Sequence, residues 1–437
     1  MAGKKSIASR VFLILALLCF IGAVYTYVDT YYLRSQRTVK NSRDPRWRVF
    51  DFHSRQATEG EIYSVAEIPA VRRVREVAPR RLRFEFIPQI KAKSWKVFDA
   101  SDGRLVSEGA FPEIPFPDQA LNAVFQLVPE GVTLMKDIRF HIDYYPKEGY
   151  NQKGLSWPDN YWLEETSVPF MTQRPYSIDE WVGLQANDPE LIEARKILGD
   201  TMPASITTIE KSERVFRFVM AKMKDADGTP TDKVQAASPL ETYNLFCSGE
   251  GKGWCENKAL VYYLFANAAG VKTRLIDIAG KFGPLKLTGH YFCETWLPEE
   301  GAWCYVDPQT STANIADSKG RHVNTLQLMR LFELNAFRGT TIRLYDKRSA
   351  EIISQTGEEF NTDGGVYFTG YPVIAFKFGY GAAKSYSKLK NFVFYPTLLY
   401  SKFPVPKLYR IKLFFLSGFV FFLILSAVIK TATIIKH

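Results

Sequence analysis

Cysteine is scarce in this chain, five in 437 residues, too few for a scaffold held by disulfides. No zinc-finger spacing occurs, and His53, His141, His290, His322 and His437 are scattered. No structural zinc, and no other metal or cofactor, is therefore expected. Internal repeats and low-complexity tracts are lacking. So is any N-x-S/T sequon, which fits a bacterial envelope protein. What is present is ordinary for a folded protein: 46% hydrophobic and 23% charged residues exclude disorder and a fibrous build. The length suits two to three domains of about 150 residues. Fifty-six Lys and Arg against 46 Asp and Glu leave a net charge of +10, a balance that alone suits nucleic acid or an anionic membrane surface.

Two apolar runs decide between these. Val11 to Val28 carries no charge and follows Lys4, Lys5 and Arg10; about 20 apolar residues span a bilayer core. A cleaved signal peptide is the rival, but no A-x-A-like site follows, and Tyr25, Tyr27, Tyr31 and Tyr32 stand where small residues belong. An uncleaved anchor is expected. Leu413 to Ile429, between Arg410 and Lys412 before and Lys430 after, gives a second span within residues 411–432. Two spans put residues 1–10 and the far end on one side and the long central region on the other. Arg34, Arg37, Lys40 and Arg43, with Lys402, Lys407, Arg410 and Lys412, flank that region; counted naively they would hold it in the cytoplasm. Long domains cross largely regardless of charge, and the short basic start resembles a signal-anchor. The expectation is an inner (plasma) membrane protein whose main domain faces the periplasm or exterior, with no nucleic acid as partner.

Between the spans the fold class is α+β. From Arg80 to Tyr145 apolar and polar positions alternate between Pro, Gly and Asp-Gly turns, which assigns residues 50–165 to a small β-sandwich. The run Arg72, Arg73, Arg75, Arg80, Arg81 and Arg83 reads as a solvated strand edge. From Tyr176 the period changes to three and four, and SIDEWVGLQANDPELIEARKILG and SITTIEKSERVFRFVMAKMK read as two helices. Asp225, Asp227 and Asp232 lack the twelve-position calcium set and read as a turn. Residues 324–405 form a β-rich extension after one short helix.

The chemistry concentrates in Pro239 to Gln309. Gly249, Gly251 and Gly253 approach Trp254-Cys255, which opens a helix ended by Gly270. Cys255 thus sits at a helix N-terminus, where free N–H groups and the dipole favour the thiolate. A strand, VKTRLIDIAG, and a loop lead to a hairpin, GHYFCETWLPEEGAWCYVDPQ. If Leu297 opposes Ala302, then Phe292 opposes Asp307. His290 and Asp307 become diagonal neighbours, about 7–8 Å apart at Cα and within side-chain reach. That register permits Cys255 as nucleophile, His290 as base and Asp307 as the group fixing the imidazole tautomer. Cys293 and Cys304 share the opposite face but lie diagonally, at or beyond bridging range. A disulfide among Cys247, Cys293 and Cys304 stays open.

These residues resemble a family. A G-x-C at a helix start, a helix running into A-G-V-K-T-R, then H-x-x-x-E-x-W and W-x-x-V-D-P, are similar to the transglutaminase-like fold of the papain-like cysteine enzymes. The likeness covers about Pro239 to Thr310, with residues 176–323 as the implied domain. It implies a catalytic triad of Cys255, His290 and Asp307, with Arg274, Glu294, Trp303 and Pro308 at supporting positions. Tyr291 and Phe292 depart from the small-then-Trp pair common after the histidine. Tyr243 and Trp254 are candidates for the oxyanion donor. The implied activity is amide (or ester) chemistry through a thioester, as transferase or hydrolase, on an envelope protein, peptide or polysaccharide-linked acyl group. The alternative is an idle binding module of the same fold in an envelope or surface-polysaccharide assembly.

Overall fold

A computed structural model of the chain describes residues 2–33, 54–146, 160–171, 174–199, 206–223, 225–282, 285–358, 365–368, 373–380, 389, 392–393, 397–402 and 408–434. Arg34, Arg37, Lys40, Arg43 and Lys407, counted above for topology, lie outside the described residues. The protein is mixed α+β. Its α-helices are α1 (Ala2–Val28), α2 (Glu59–Tyr63), α3 (Ile178–Val182), α4 (Pro189–Leu198), α5 (Thr208–Lys222), α6 (Asp232–Ala236), α7 (Pro239–Cys247), α8 (Cys255–Ala268), α9 (Thr325–Glu333) and α10 (Leu408–Ile434). The strands are β1 (Ser54–Gln56), β2 (Ala70–Ala78), β3 (Arg81–Ile87), β4 (Trp95–Asp99), β5 (Leu105–Gly109), β6 (Glu113–Pro115), β7 (Asn122–Pro129), β8 (Ile138–Tyr144), β9 (Tyr161–Thr166), β10 (Thr273–Phe282), β11 (Leu285–Leu297), β12 (Ala302–Val306), β13 (Thr312–Ala316), β14 (Thr341–Asp346), β15 (Glu351–Thr356), β16 (Val373–Phe376) and β17 (Thr397–Tyr400).

The chain forms two units. A central unit takes residues 57–274 and 292–360; a terminal unit takes 1–56, 275–291 and 361–437. In the central unit, β2-β3-β6 and β5-β4-β7-β8-β9 are two antiparallel sheets. Inward residues of both, among them Leu82, Phe84, Ile114, Val97, Phe125 and Phe140, share one core, the arrangement of a β-sandwich. Period-two alternation produces this: β3 buries Leu82, Phe84 and Phe86 and turns Arg81, Arg83 and Glu85 outward.

The helices follow. The stretch read above as one helix from Ile178 to Leu198 is two. Gly183 ends α3 in a left-handed conformation (φ 67°), which a residue without Cβ adopts at no steric cost. Asp188 then caps α4 through Glu190 N and Leu191 N, with Pro189 at its first turn, the position where a missing N–H costs nothing. The stretch between VKTRLIDIAG and GHYFCETW, read as a loop, instead lengthens both strands among its described residues, since β10 runs to Phe282 and β11 starts at Leu285.

In the terminal unit, β10 pairs antiparallel with β16 and β16 with β17, while β1 lies parallel to β17. The pairing of Ser54–Gln56 with Thr397–Leu399 takes these residues out of the sandwich range assigned from sequence. Helices α1 and α10 pack antiparallel. Ser426 Oγ donates to the Ser9 carbonyl at 3.0 Å, and a Cβ added at Gly418 would stand 2.9 Å from Cys19 Sγ. Ile7–Val28 and Tyr409–Ala432 are each long and apolar enough to cross a membrane, with mean hydropathy 2.5 and 2.4.

Candidate active site

Cys255 is the first residue of α8 and half-buried, while every residue from Asn257 to Ala268 in that helix is buried. The approach is fixed tightly. Gly253 N donates to the Ala226 carbonyl at 2.8 Å, and a Cβ on Gly253 would meet Phe246 at 2.6 Å and Asn257 at 2.8 Å. Only glycine fits there. Asn257 Oδ1 accepts from Trp254 N at 3.2 Å, satisfying a donor just ahead of Cys255. Three residues after Cys255, the fully buried Lys258 pairs with Asp227, whose second oxygen takes Lys347 Nζ at 3.0 Å. Burial raises the Asp227 pKa, but the hydrogen bonds and charges of the two lysines outweigh it and hold the carboxyl below its usual range. Asp227 is thus occupied by lysines and bridges to Gly253, clamping the entry to α8, while Asp232, read as part of the same turn, opens α6.

The other thiols differ. Burial pushes Cys293 and Cys304 well above the usual thiol range, with nearby carboxylates adding to it, so both stay protonated and inert. Cys247 is exposed. All five cysteines are free. In the hairpin, Leu297 opposes Ala302, Thr295 opposes Cys304 and Cys293 opposes Val306. That is the register derived from the Pro298–Gly301 turn, and it leaves Cys293 and Cys304 diagonal rather than facing.

Asp307 follows β12 and is fully buried. Its carboxylate accepts from Tyr305 Oη at 2.9 Å, Gln309 N at 2.9 Å and Thr310 Oγ1 at 2.8 Å. Backbone bonds between Asp307 and Thr312 in both directions close the turn beneath it. The side chain is therefore locked in one orientation.

The positions named above as supporting are a buried ion pair and its lining. Arg274 donates to Glu294 Oε2 through Nε at 2.9 Å and Nη2 at 2.7 Å, and through Nη1 to the Ile62 carbonyl at 2.9 Å. Its guanidinium carbon lies 4.1 Å from the Trp303 ring centre and 4.4 Å from Trp181. Glu294 Oε1 accepts from Tyr63 Oη at 2.9 Å and Thr325 N at 2.7 Å. Both charges are completely buried and multiply bonded, the condition under which such a pair is tolerated.

In the terminal unit His290 lies on β11, buried, with its ring stacked on Tyr367 at 4.4 Å between centroids. Beside it stands a pair that the sequence did not reveal. Asp277 and Lys377, both buried, meet at 3.3 Å. Burial raises the Asp277 carboxyl, and Lys377, Tyr291 and His290 pull it down without cancelling the rise. The two residues are 100 positions apart, and Asp277 opposes Ala375. Period two thus brings Lys377 to its face, a relation only the strand pairing discloses.

Tyr243, a candidate oxyanion donor, packs between Phe218 and Phe265, and burial raises its hydroxyl above the usual range, with the neighbouring Cys247 adding to the rise. Trp254 is half-exposed, directly before Cys255. No protein-family model matches the chain, and no curated protein matches it.

Proposed function

We propose that the protein is a membrane-anchored, transglutaminase-like cysteine enzyme of the cell envelope, acting on amide or ester bonds. The observation that carries this reading is Cys255: a half-buried thiol opening a helix whose body is entirely buried, reached through a glycine that admits no side chain. A buried helix fixes its first residue rigidly, and the N–H groups of its first turn favour a developing oxyanion beside it.

In the proposed reaction the Cys255 sulfur attacks a carbonyl carbon and the C–S bond forms. The C–N or C–O bond breaks, and His290, having taken the thiol proton, delivers it to the leaving amine or alcohol. Asp307 keeps the imidazole in the tautomer this requires. An amine or water, deprotonated by His290, then attacks the thioester and Cys255 leaves as thiolate. Attack by an amine is transamidation, by water hydrolysis. Main-domain exposure to the periplasm or exterior belongs to the same proposal; two apolar helices support the membrane anchor.

The test needs no natural substrate. The full chain in detergent is mixed with p-nitrophenyl acetate, and intact and peptide masses locate the acetyl group. The proposal expects one acetyl on Cys255, with the p-nitrophenolate burst lost in Cys255→Ala and in His290→Ala. Faster deacylation with added amine identifies a transferase, and deacylation by water alone a hydrolase. Acetylation spread over lysines, unchanged by either substitution, would leave the idle binding module as the better account.

A further inference from the structure

The arginine run of β2 and β3 does more than coat a strand edge. Arg72, Arg75, Arg83, Lys91, Trp95 and Phe111 line part of a groove of ≈460 Å³ on the sandwich, within the range of ligand sites. Four of its lining residues are cations (Arg72, Arg75, Arg83 and Lys91) and one is a carboxylate, Glu85. Arg83 is paired with Glu113, and Arg75 reaches Glu85 at 3.5 Å. Arg72 and Lys91 make no ion pair with a described residue.

Two further features of the ladder shape the groove. Arg75 and Arg83 stand directly opposite each other across the β2–β3 ladder, and like charges at such positions repel. The ladder also slips by one residue between Val71 and Arg73. Arg72 is the extra residue of that bulge, a device that re-aims a side chain. Phe111 is 55% exposed, with the Arg83 guanidinium 4.1 Å from its ring centre.

We propose that this groove binds a carboxylated polysaccharide strand, with a sugar ring against Phe111 and carboxylates on Arg72 and Lys91. A uronate residue offers both features in one rigid unit: an apolar C–H face for an aromatic ring, and a carboxylate for a guanidinium to grip with two N–H groups. An acidic peptide supplies the charge on a flexible stem without the ring. The groove thus names a partner for the envelope enzyme proposed above and rests on that reading only for its setting, since the binding itself needs no catalysis.

The test is calorimetric titration of the full-length Cys255→Ala protein, in a polyoxyethylene detergent free of sugar, with oligogalacturonate. Malto-oligosaccharide, poly-glutamate and single-stranded DNA are the comparison probes. Binding of oligogalacturonate is expected, weakened about tenfold or more by Arg72→Ala and again by Phe111→Ala, with malto-oligosaccharide inert. Both substituted residues are exposed, so neither change moves the unfolding midpoint. Equal affinity for poly-glutamate or DNA, indifference to Phe111→Ala, or no binding of oligogalacturonate overturns the proposal. Using Cys255→Ala separates this outcome from any failure of the triad, which the acetylation experiment reads alone.

Discussion

Helix α8 and the terminal helices α1 and α10 are alike in sequence and opposite in surroundings. None has a strong apolar stripe, since apolar residues lie on every side. In α8 that uniformity is met by protein: Leu260, Val261, Tyr262, Tyr263, Leu264 and Phe265 are all fully buried. In the apolar windows of α1 and α10 only 17% and 11% of residues are buried inside the protein, and Leu17, Leu18, Phe414 and Val428 are more than half exposed. A helix apolar all round must be covered, by a protein core or by lipid. Lys258 and Asn257 in α8 have bonded partners inside the protein, whereas α1 and α10 touch each other at Ser9, Ser426, Gly22 and Gly418.

The contrast is broken most severely by placing one charge in each helix. Leu264→Lys puts an unpaired ammonium where nothing can solvate it, and the loss should exceed about 4 kcal/mol, read as absence of a cooperative urea transition. Leu18→Lys should leave the urea midpoint of the purified protein unchanged and reduce the membrane-integrated fraction, by about 2.5–3.5 kcal/mol of insertion free energy near a span centre. A similar loss from both in the urea experiment would mean that α1 belongs to a protein core.

Next in size is the ion pair. Glu294→Gln removes the charge facing Arg274 and leaves a buried guanidinium uncompensated, costing about 3–5 kcal/mol in the urea midpoint. Smaller again, Gly418→Leu forces atoms into the space of Cys19 Sγ and should cost about 1–3 kcal/mol, seen as separation of α1 from α10 by cross-linking. The smallest effect belongs to Asp227, which is about half exposed. Its folded pKa is depressed, so its contribution is present above the unfolded carboxyl range near about 4 and is lost as pH falls through the folded value. Solvent screening keeps that contribution at about 0–1 kcal/mol. Asp227→Asn should lower stability at neutral pH by that amount and flatten the acid limb, so that the two proteins converge below the folded value.

Local chemistry was legible. The Pro298–Gly301 turn dictated the hairpin register because a tight turn leaves one pairing for the strands it joins. The positions of Cys255 and of both apolar helices followed from glycines, periodicity and charge. Three things were not legible, each for a physical reason. The break at Gly183 is hidden because the apolar spacing continues across it. The parallel pairing of Ser54–Gln56 with Thr397–Leu399 and the Asp277–Lys377 pair join residues hundreds or a hundred positions apart, with no local signature.

The central claim is that Cys255 is an activated nucleophile, and Cys247 is a built-in control because it is the more exposed of the two. The decisive measurement is competition between them for limiting iodoacetamide at mildly acidic pH, with the labelled cysteine identified by peptide mass. The account predicts that Cys255 is alkylated ahead of Cys247, and that His290→Ala abolishes the preference. Labelling in order of exposure, Cys247 first and indifferent to His290, would contradict it.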